Sequence, residues 1–165
     1  MIKKDEKNIE YKYELLSKDP KDIEKKVNEF VENEVKFQIT IKNNFNLEWP
    51  GNGRTKLICD KSSDIKSNDI ILNNLKFGQN QPIAIILNIK DIKVGLKKCI
   101  FHFSVDGKIY GNPLVLIVNV HENEEVEKLR AEYMLSGDEF DSLSLYKALQ
   151  KNNFDLYKAF GSLFQ

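Results

Sequence analysis

The chain has 165 residues, 41% of them apolar, which suffices for one or two small domains with a buried core. Its 25 basic and 25 acidic side chains cancel, so composition favours neither nucleic acid nor an anionic membrane as a partner. No stretch approaches the roughly 20 apolar residues of a membrane span, and the N-terminus is charged, so we expect a cytoplasmic protein.

Charge is unevenly distributed along the chain. Residues 1–121 carry 20 basic and 16 acidic side chains, a net +4, whereas residues 122–165 carry 5 and 9, a net −4. This change indicates a boundary near His121. Together with the apolar pattern it predicts a charged arm and helix over 1–35, a β-sandwich over 36–121 and a helical unit over 122–165.

The first region is predicted to contain an amphipathic helix. Asp19 suits the N-cap and Pro20 the first helical position. The apolar residues that follow recur at helical spacing and would form one stripe: Ile23, Val27, Phe30 and Val31. We expect this stripe to pack on the neighbouring sandwich or, alternatively, to dock on another protein.

The second region changes to the period of two that is typical of half-buried strands. Phe37, Ile39 and Ile41 alternate with polar residues. Short strands are predicted at 37–41, 56–60, 70–75, 83–89, 99–105 and 114–120. Turn signals separate them, among them Asp106-Gly107, because both positions accept positive φ in a hairpin. This spacing predicts an antiparallel sandwich of immunoglobulin type.

The third region has the periodicity of three short helices, predicted over 124–135, 142–151 and 155–164. Asp155 can cap the last of them. A unit this short is near the lower size limit for independent folding. Small helical units of this kind commonly serve as binding modules. The predicted fold class is therefore an all-β immunoglobulin-like sandwich with an N-terminal helix, followed by a small all-α domain of three helices.

The single tryptophan, Trp49, carries a first family resemblance. It precedes Pro50 at the exit of the first long strand, where a sandwich strand turns a corner. With the segments 75–79 and 110–120 in the same order, the span 37–120 resembles the four-tryptophan, immunoglobulin-like central domain of certain selective-autophagy cargo receptors and related adaptors. The resemblance implies a protein-binding domain in which Trp49 and Pro50 are landmarks of the fold. Three other residues stand at the remaining tryptophan positions: Ile39, Phe103 and Val115.

A second resemblance covers residues 126–164, which look like a ubiquitin-associated (UBA) three-helix domain. The residues that match its last two helices are Ala148-Leu149, Asn152-Asn153, Asp155, Ala159 and Leu163-Phe164. The resemblance implies that this region binds ubiquitin or a similar small protein. Members of the family use an apolar patch made by a Met-Gly-Phe-like loop after the first helix and by the end of the third.

The corresponding patch can be aligned in two ways. By spacing the loop is Asp138-Glu139-Phe140, which keeps the phenylalanine, whereas a shift places Met134-Leu135-Ser136-Gly137 there. The candidate partner-binding residues are accordingly Met134, Leu135, Phe140, Leu163 and Phe164. The alternative is a helical unit that packs within its own chain or docks on another protein.

Two short segments fit an acidic-flanked aromatic-x-x-aliphatic motif that adds a strand to ubiquitin-like autophagy modifiers. They are residues 138–143, with Phe140 and Leu143, and Tyr13-Glu14-Leu15-Leu16 in the N-terminal arm. Phe140 and Leu143 are equally explained as anchors of the helical unit.

Four lysines cluster around one predicted loop and the strand after it: Lys90, Lys93, Lys97 and Lys98. They predict a basic contact face for an acidic surface, such as a tubulin tail or the acidic helical unit of another copy. The alternative is a solvated edge that discourages aggregation.

No catalytic or cofactor-binding pattern is recognisable. His102 and His121 lack partners at metal-ligand spacing, and Gly51-Asn52-Gly53 precedes a strand, so it predicts a turn instead of a phosphate cradle. Cys59 and Cys99 lie on predicted strands and are expected to be buried thiols. We therefore expect no enzyme activity, no cofactor, no metal and no small-molecule substrate.

These observations predict a non-enzymatic adaptor with two binding surfaces. The sandwich would bind a structural or cargo partner, and the helical unit would bind ubiquitin or a similar protein. The alternative is a structural subunit of a large cytoskeletal or ciliary, microtubule-associated assembly in which both modules dock on neighbouring chains.

Overall fold

The computed structural model describes residues 9–21, 26–28, 33–137 and 139–165. In these residues it contains nine strands followed by three helices. The strands are β1 (Glu14–Asp19), β2 (Lys26–Asn28), β3 (Glu34–Lys42), β4 (Thr55–Cys59), β5 (Ile70–Ile71), β6 (Asn80–Asn88), β7 (Gly95–Val105), β8 (Lys108–Ile109) and β9 (Leu114–His121). The helices are α1 (Glu124–Tyr133), α2 (Ser142–Lys151) and α3 (Leu156–Ser162).

The strands form two sheets. One has the order β1-β3-β6, and the other has the order β2-β9-β7-β4-β5, with β8 paired to β7. Neighbouring strands are antiparallel except β2 and β9, which run parallel with Val27 opposite Val120. We call residues 9–121 the two-sheet unit and residues 122–165 the helical unit.

Alternating side chains of the two sheets share one apolar core. In β3, the residues 35, 37, 39 and 41 are buried while their neighbours are exposed or half-buried. The inward residues of β6, β7 and β9 alternate in the same way and join the same cluster. The period of two in the sequence thus reports which side of each strand faces the core.

The prediction of a helix near the N-terminus is wrong for the residues of that segment that the structure describes, because none of them lies in a helix. Asp19 is the last residue of β1, which pairs with β3, and Val27 lies in β2. Tyr13 and Leu15 pack against the core of the two-sheet unit. Pairing with β3 and β9 outweighs the helical spacing of a few apolar residues, because strand formation depends on non-local partners. Ile23, Phe30 and Val31 lie outside the described residues.

The predicted fold class is therefore wrong. It required a helix before the first long strand, where the structure has β1 and β2, and the helix pair of a UBA domain is not evident in the three short helices. Strands β1 and β2 belong to the sheets, so the two-sheet unit takes in part of the segment predicted as an arm. No helix in the described parts of the chain is long and apolar enough to cross a membrane.

The helical unit has a core of its own. Leu129 of α1, Leu145 and Leu149 of α2 and Ala159 of α3 are fully or almost fully buried in it. Each helix begins at a capping side chain, since Asn123, Asp141 and Asp155 accept hydrogen bonds from backbone N–H groups of the first turn.

Glu122 joins the two units. It follows the last residue of β9 and precedes Asn123, the N-cap of α1. The Arg130 Nε atom donates to both carboxylate oxygens of Glu122, at 3.0 and 2.9 Å, and the Ser142 hydroxyl donates to one of them at 2.9 Å. One mostly buried carboxylate therefore ties the end of the sheet to α1 and to the start of α2.

Candidate partner-binding surfaces

A row of aromatic rings crosses the helical unit. Tyr133, at the end of α1, stacks on Phe160 of α3 with ring centroids 4.1 Å apart and planes 5° apart. Phe160 meets Phe164 edge to face at 5.1 Å, and Phe164 meets Phe140 edge to face at 5.9 Å. We call these four residues, with the neighbouring Met134 and Tyr157, the aromatic surface.

Several large apolar and aromatic side chains of this surface are exposed to solvent. Met134 is 92% exposed, Phe164 is 65% exposed, and Tyr157 is also largely exposed. Tyr157 and Phe160 are three residues apart, which brings them to one side of α3, and Phe164 follows in the turn after the helix, where it contacts Phe160. Contiguous apolar side chains left in water on a small unit mark an interaction site.

The structure distributes the five predicted patch residues between this surface and the core. Phe140 and Phe164 contact each other, and Met134 is exposed where the chain leaves α1 with a left-handed backbone. Leu135, Phe140 and Leu163 are half-buried against the core of the helical unit. Asp138, which belongs to the alternative alignment of the loop, lies outside the described residues.

The sequence-based prediction did not include Tyr133, Tyr157 or Phe160. Helical spacing places Tyr133 on the apolar face of the first predicted helix with Val126 and Leu129, and Phe160 on that of the last. Their stacking joins residues 27 positions apart in the chain, so it depends on how α1 and α3 pack. The available signal was the helical spacing of Tyr157, Phe160 and Phe164.

Three carboxylates are sequence neighbours of residues in the aromatic surface. Glu132 precedes Tyr133, and Glu139 and Asp141 flank Phe140. The Ser144 N–H donates to the Asp141 side chain at 2.7 Å and, as the largest effect, holds the pKa of that carboxyl below its ordinary value. The helical unit as a whole carries a net −4. An apolar patch rimmed by basic groups would complement this surface.

Trp49 belongs to the core of the two-sheet unit and is 0% exposed. Its ring lies 4.9 Å from that of Phe103, and its indole N–H donates to the Lys12 carbonyl at 3.2 Å. The carbonyl of half-buried Pro50 accepts a 2.7 Å hydrogen bond from the Thr55 hydroxyl. Both residues stabilise the corner after β3.

The four predicted lysines do not share one face. Lys90 and Lys93 are exposed in the loop between β6 and β7. Lys97 and Lys98 are successive residues of β7, so their side chains leave opposite faces of the sheet. Lys90 and Lys93 also line a cavity of about 850 Å³, together with Glu122, Arg130 and Asp141.

Tyr13, the aromatic residue of the motif in the N-terminal arm, is engaged within the two-sheet unit. Its ring lies 5.0 Å from that of Phe103, and its hydroxyl donates to the Asn112 carbonyl at 2.6 Å. The remaining motif residues, Glu14, Leu15 and Leu16, lie in β1, of which Glu14 and Leu15 pair with Lys42 and Ile41 of β3.

Asp60 forms the most polar cluster of the two-sheet unit. Its carboxylate accepts from the Ser62 hydroxyl at 2.6 Å and from the Ser62 N–H at 2.7 Å, and it lies 2.6 Å from His102 Nε2. These contacts, with those of Ser62 the largest, hold the pKa of Asp60 well below its ordinary value. The cluster fixes the turn after β4 against β7.

The remaining candidates for chemistry are the possible metal ligands and the two cysteines. Among the described residues, no group of three or more His, Cys, Asp or Glu side chains could hold a metal ion. Cys59 and Cys99 are free thiols, half-buried and buried respectively. Burial, with a smaller effect from the neighbouring Cys59, raises the pKa of Cys99 to about 12.

Comparison with known proteins does not identify a family. No family model and no curated protein matches the chain. Among solved structures, the chain is similar to crystal structures of a β-glucosidase from Listeria innocua. A mutant in complex with laminaribiose is 16% identical with a TM-score of 0.39, the enzyme is 14% identical with 0.38, and its glucose complex is 13% identical with 0.34.

The matched part covers 67–69% of this chain. This chain spans about 16% of the length of each β-glucosidase chain. Similarity of this extent assigns neither an activity nor a substrate.

Proposed function

We propose that this protein is a non-enzymatic adaptor whose aromatic surface binds an apolar patch on ubiquitin or a ubiquitin-like protein. The observation that carries the proposal is the continuous row from Tyr133 through Phe160 and Phe164 to Phe140, with Phe164 and Met134 left in water. The two-sheet unit would bind the structural or cargo partner.

Packing explains why this row suits binding. Phe160 is held on both sides, by the stacked Tyr133 and by the edge of Phe164, so the rings are already ordered. Ordered aromatic side chains lose little conformational entropy when a partner covers them, and they dominate many binding energies. Phe164 is the most exposed phenylalanine of the row, so its contact with a partner should contribute most.

Charge selects among apolar partners. The carboxylates beside the aromatic surface favour a patch with a basic rim and disfavour an acidic one. We therefore expect association to be faster at low salt, because rim charges act mainly on encounter. Joining this surface to a second one on the same chain would raise the combined affinity through effective concentration.

A calorimetric titration of the intact chain with ubiquitin tests the proposal. Phe164→Ala should weaken binding by at least about tenfold, as expected for a central aromatic contact. Phe77→Ala is the matched control, because Phe77 is 66% exposed against 65% for Phe164 but lies in a turn of the two-sheet unit. Absence of heat with the wild type at two well-separated temperatures, or equal effects of both substitutions, would rule out ubiquitin recognition by this surface.

The alternative, a subunit clamped within a cytoskeletal or ciliary assembly, is supported by exposed apolar side chains on the two-sheet unit. They are Leu16, Leu47, Ile71, Phe77, Ile86, Val94, Leu96 and Ile109. Stoichiometric and salt-resistant presence in a purified particle would favour this function, whereas a free chain that captures ubiquitin would favour the adaptor.

A further inference from the structure

Strand β6 is an open edge. It pairs with β3 along its whole length, from Asn80 opposite Lys42 to Asn88 opposite Glu34. Among the residues that the structure describes, no strand pairs with its other side. Its nine residues, Asn-Gln-Pro-Ile-Ala-Ile-Ile-Leu-Asn, include no charge. Natural proteins usually protect a long apolar edge with charges or proline; β6 has only Pro82, near its start, so the stretch from Ile83 to Asn88 requires an explanation.

Hydrogen bonds at both ends of β6 show which backbone groups face outward. The Asn43 N–H donates to the Gln79 carbonyl, and the Ile89 N–H donates to the Asn33 carbonyl. Because bonding alternates along an antiparallel pair, the odd-numbered residues bond to β3 and the even-numbered residues point away from it. Pro82, which has no N–H, falls at an outward position, where its missing donor costs nothing.

The outward positions are accessible. Ala84 is exposed and Ile86 is 56% exposed, whereas the odd-numbered residues from Ile83 to Leu87 are buried. A groove of about 440 Å³ lies beside this edge, between residues 84–88 and the segment 66–70. An incoming strand would therefore meet backbone groups that no described strand bonds, beside a groove whose other side carries Lys66 and Asp69.

We propose that the partner of this edge is β6 of a second copy of the chain, paired antiparallel about a two-fold axis at Ile85. In this register Ala84 lies opposite Ile86 of the partner subunit, and Pro82 lies opposite Asn88 of the partner subunit. All four are outward positions. Ala84 and Ile86 can therefore exchange both backbone hydrogen bonds with the partner subunit, whereas Pro82 has no N–H and can only accept one.

Three features favour a second copy as the occupant. The pairing places no like charges opposite each other, because β6 has none. The pairing also places the larger Ile86 of each subunit opposite the smaller Ala84 of the other. It also joins the two three-stranded sheets into one of six strands. The resulting dimer would carry two aromatic surfaces, although the pairing of β6 does not depend on what those surfaces bind.

Analytical ultracentrifugation of the intact chain, from about 10 µM to about 1 mM, tests the proposal. The mass should rise with concentration from 19.2 kDa toward twice that value. Ile86→Lys should weaken dimerisation by about 25-fold, because each dimer contains the substitution twice and each pair contributes about fivefold. Leu96→Lys is the matched control, since Leu96 is 58% exposed but lies on β7, inside the other sheet.

Hydrogen exchange of the wild type gives a second readout that needs no variant. The amides of Ala84 and Ile86 should become protected as concentration rises, while those of Ile83 and Ile85 should be protected throughout. A chain that stays monomeric, including one whose edge binds only a peptide of another protein, would overturn the proposal. A dimer in which the amides of Ala84 and Ile86 stay unprotected would also overturn the proposal. The same holds if Leu96→Lys weakens dimerisation as strongly as Ile86→Lys.

Discussion

Replacing Trp49 with alanine should destabilise the two-sheet unit by about 4 kcal/mol. Removing a fully buried tryptophan typically costs about 3–5 kcal/mol, because the surrounding atoms close the cavity only in part. Trp49 is fully buried, so the full cavity cost applies. The lost ring contact with Phe103 adds to this cost.

One contact moderates the loss. The Lys12 carbonyl, which accepts the indole N–H, belongs to an exposed residue and can bond to water after the substitution. The backbone N–H of residue 49 keeps its bond to the Leu75 carbonyl. Trp49→Phe retains most of the ring and should cost only about 1–2 kcal/mol.

Urea unfolding followed by circular dichroism measures this difference, because the alanine variant lacks the only tryptophan and has no indole fluorescence. The midpoint should fall while the dependence on urea stays unchanged. A loss below about 1 kcal/mol would refute the assignment of Trp49 to the core and would make it a partner contact.

Two further substitutions test the polar contacts of the fold. Asp60→Asn should destabilise the protein at neutral pH. Because folding lowers the pKa of Asp60, the stability that the wild type has over the variant is full above the ordinary pKa of 3.8 and declines as the pH falls below it. Melting temperatures of both proteins across a pH series measure this difference. An advantage that grows on acidification would contradict this. Glu122→Ala should lower the free energy of unfolding by about 2 kcal/mol, because it leaves the mostly buried Arg130 without its carboxylate partner. Amide hydrogen exchange in α1 and α2 should become faster. Unchanged exchange there would show that Glu122 does not tie the helices together.

The sequence predicts the local elements better than their arrangement. Helix α2 lies at the predicted residues, since Asp141 and the apolar spacing of Leu145, Ala148 and Leu149 specify it locally. The strand predicted over 70–75 shrinks to Ile70–Ile71. The Leu72 N–H still donates to the carbonyl of Thr55, the first residue of β4, so residues 73–75 have no β4 residue opposite them. The predicted N-terminal helix is wrong because β3 and β9 provide strand partners for this segment, and local spacing in the sequence does not reveal them.

The candidate sites follow the same division. Phe140 and Phe164 could be found from their positions in the chain, whereas Tyr133 becomes part of the surface only through its stacking on Phe160. The four lysines are neighbours in sequence, but strand alternation separates Lys97 from Lys98. The open edge of β6 depends on strand order, which the sequence of one chain does not specify.

The most direct test of the proposed function is an NMR titration of the intact, isotope-labelled chain with unlabelled ubiquitin. Shifts should concentrate on the amides of Tyr133, Met134, Phe140, Phe160 and Phe164 and leave the two-sheet unit unchanged. At the same ubiquitin concentration they should be much smaller in Phe164→Ala. No shifts with the wild type, or shifts confined to the two-sheet unit, would contradict the proposed function.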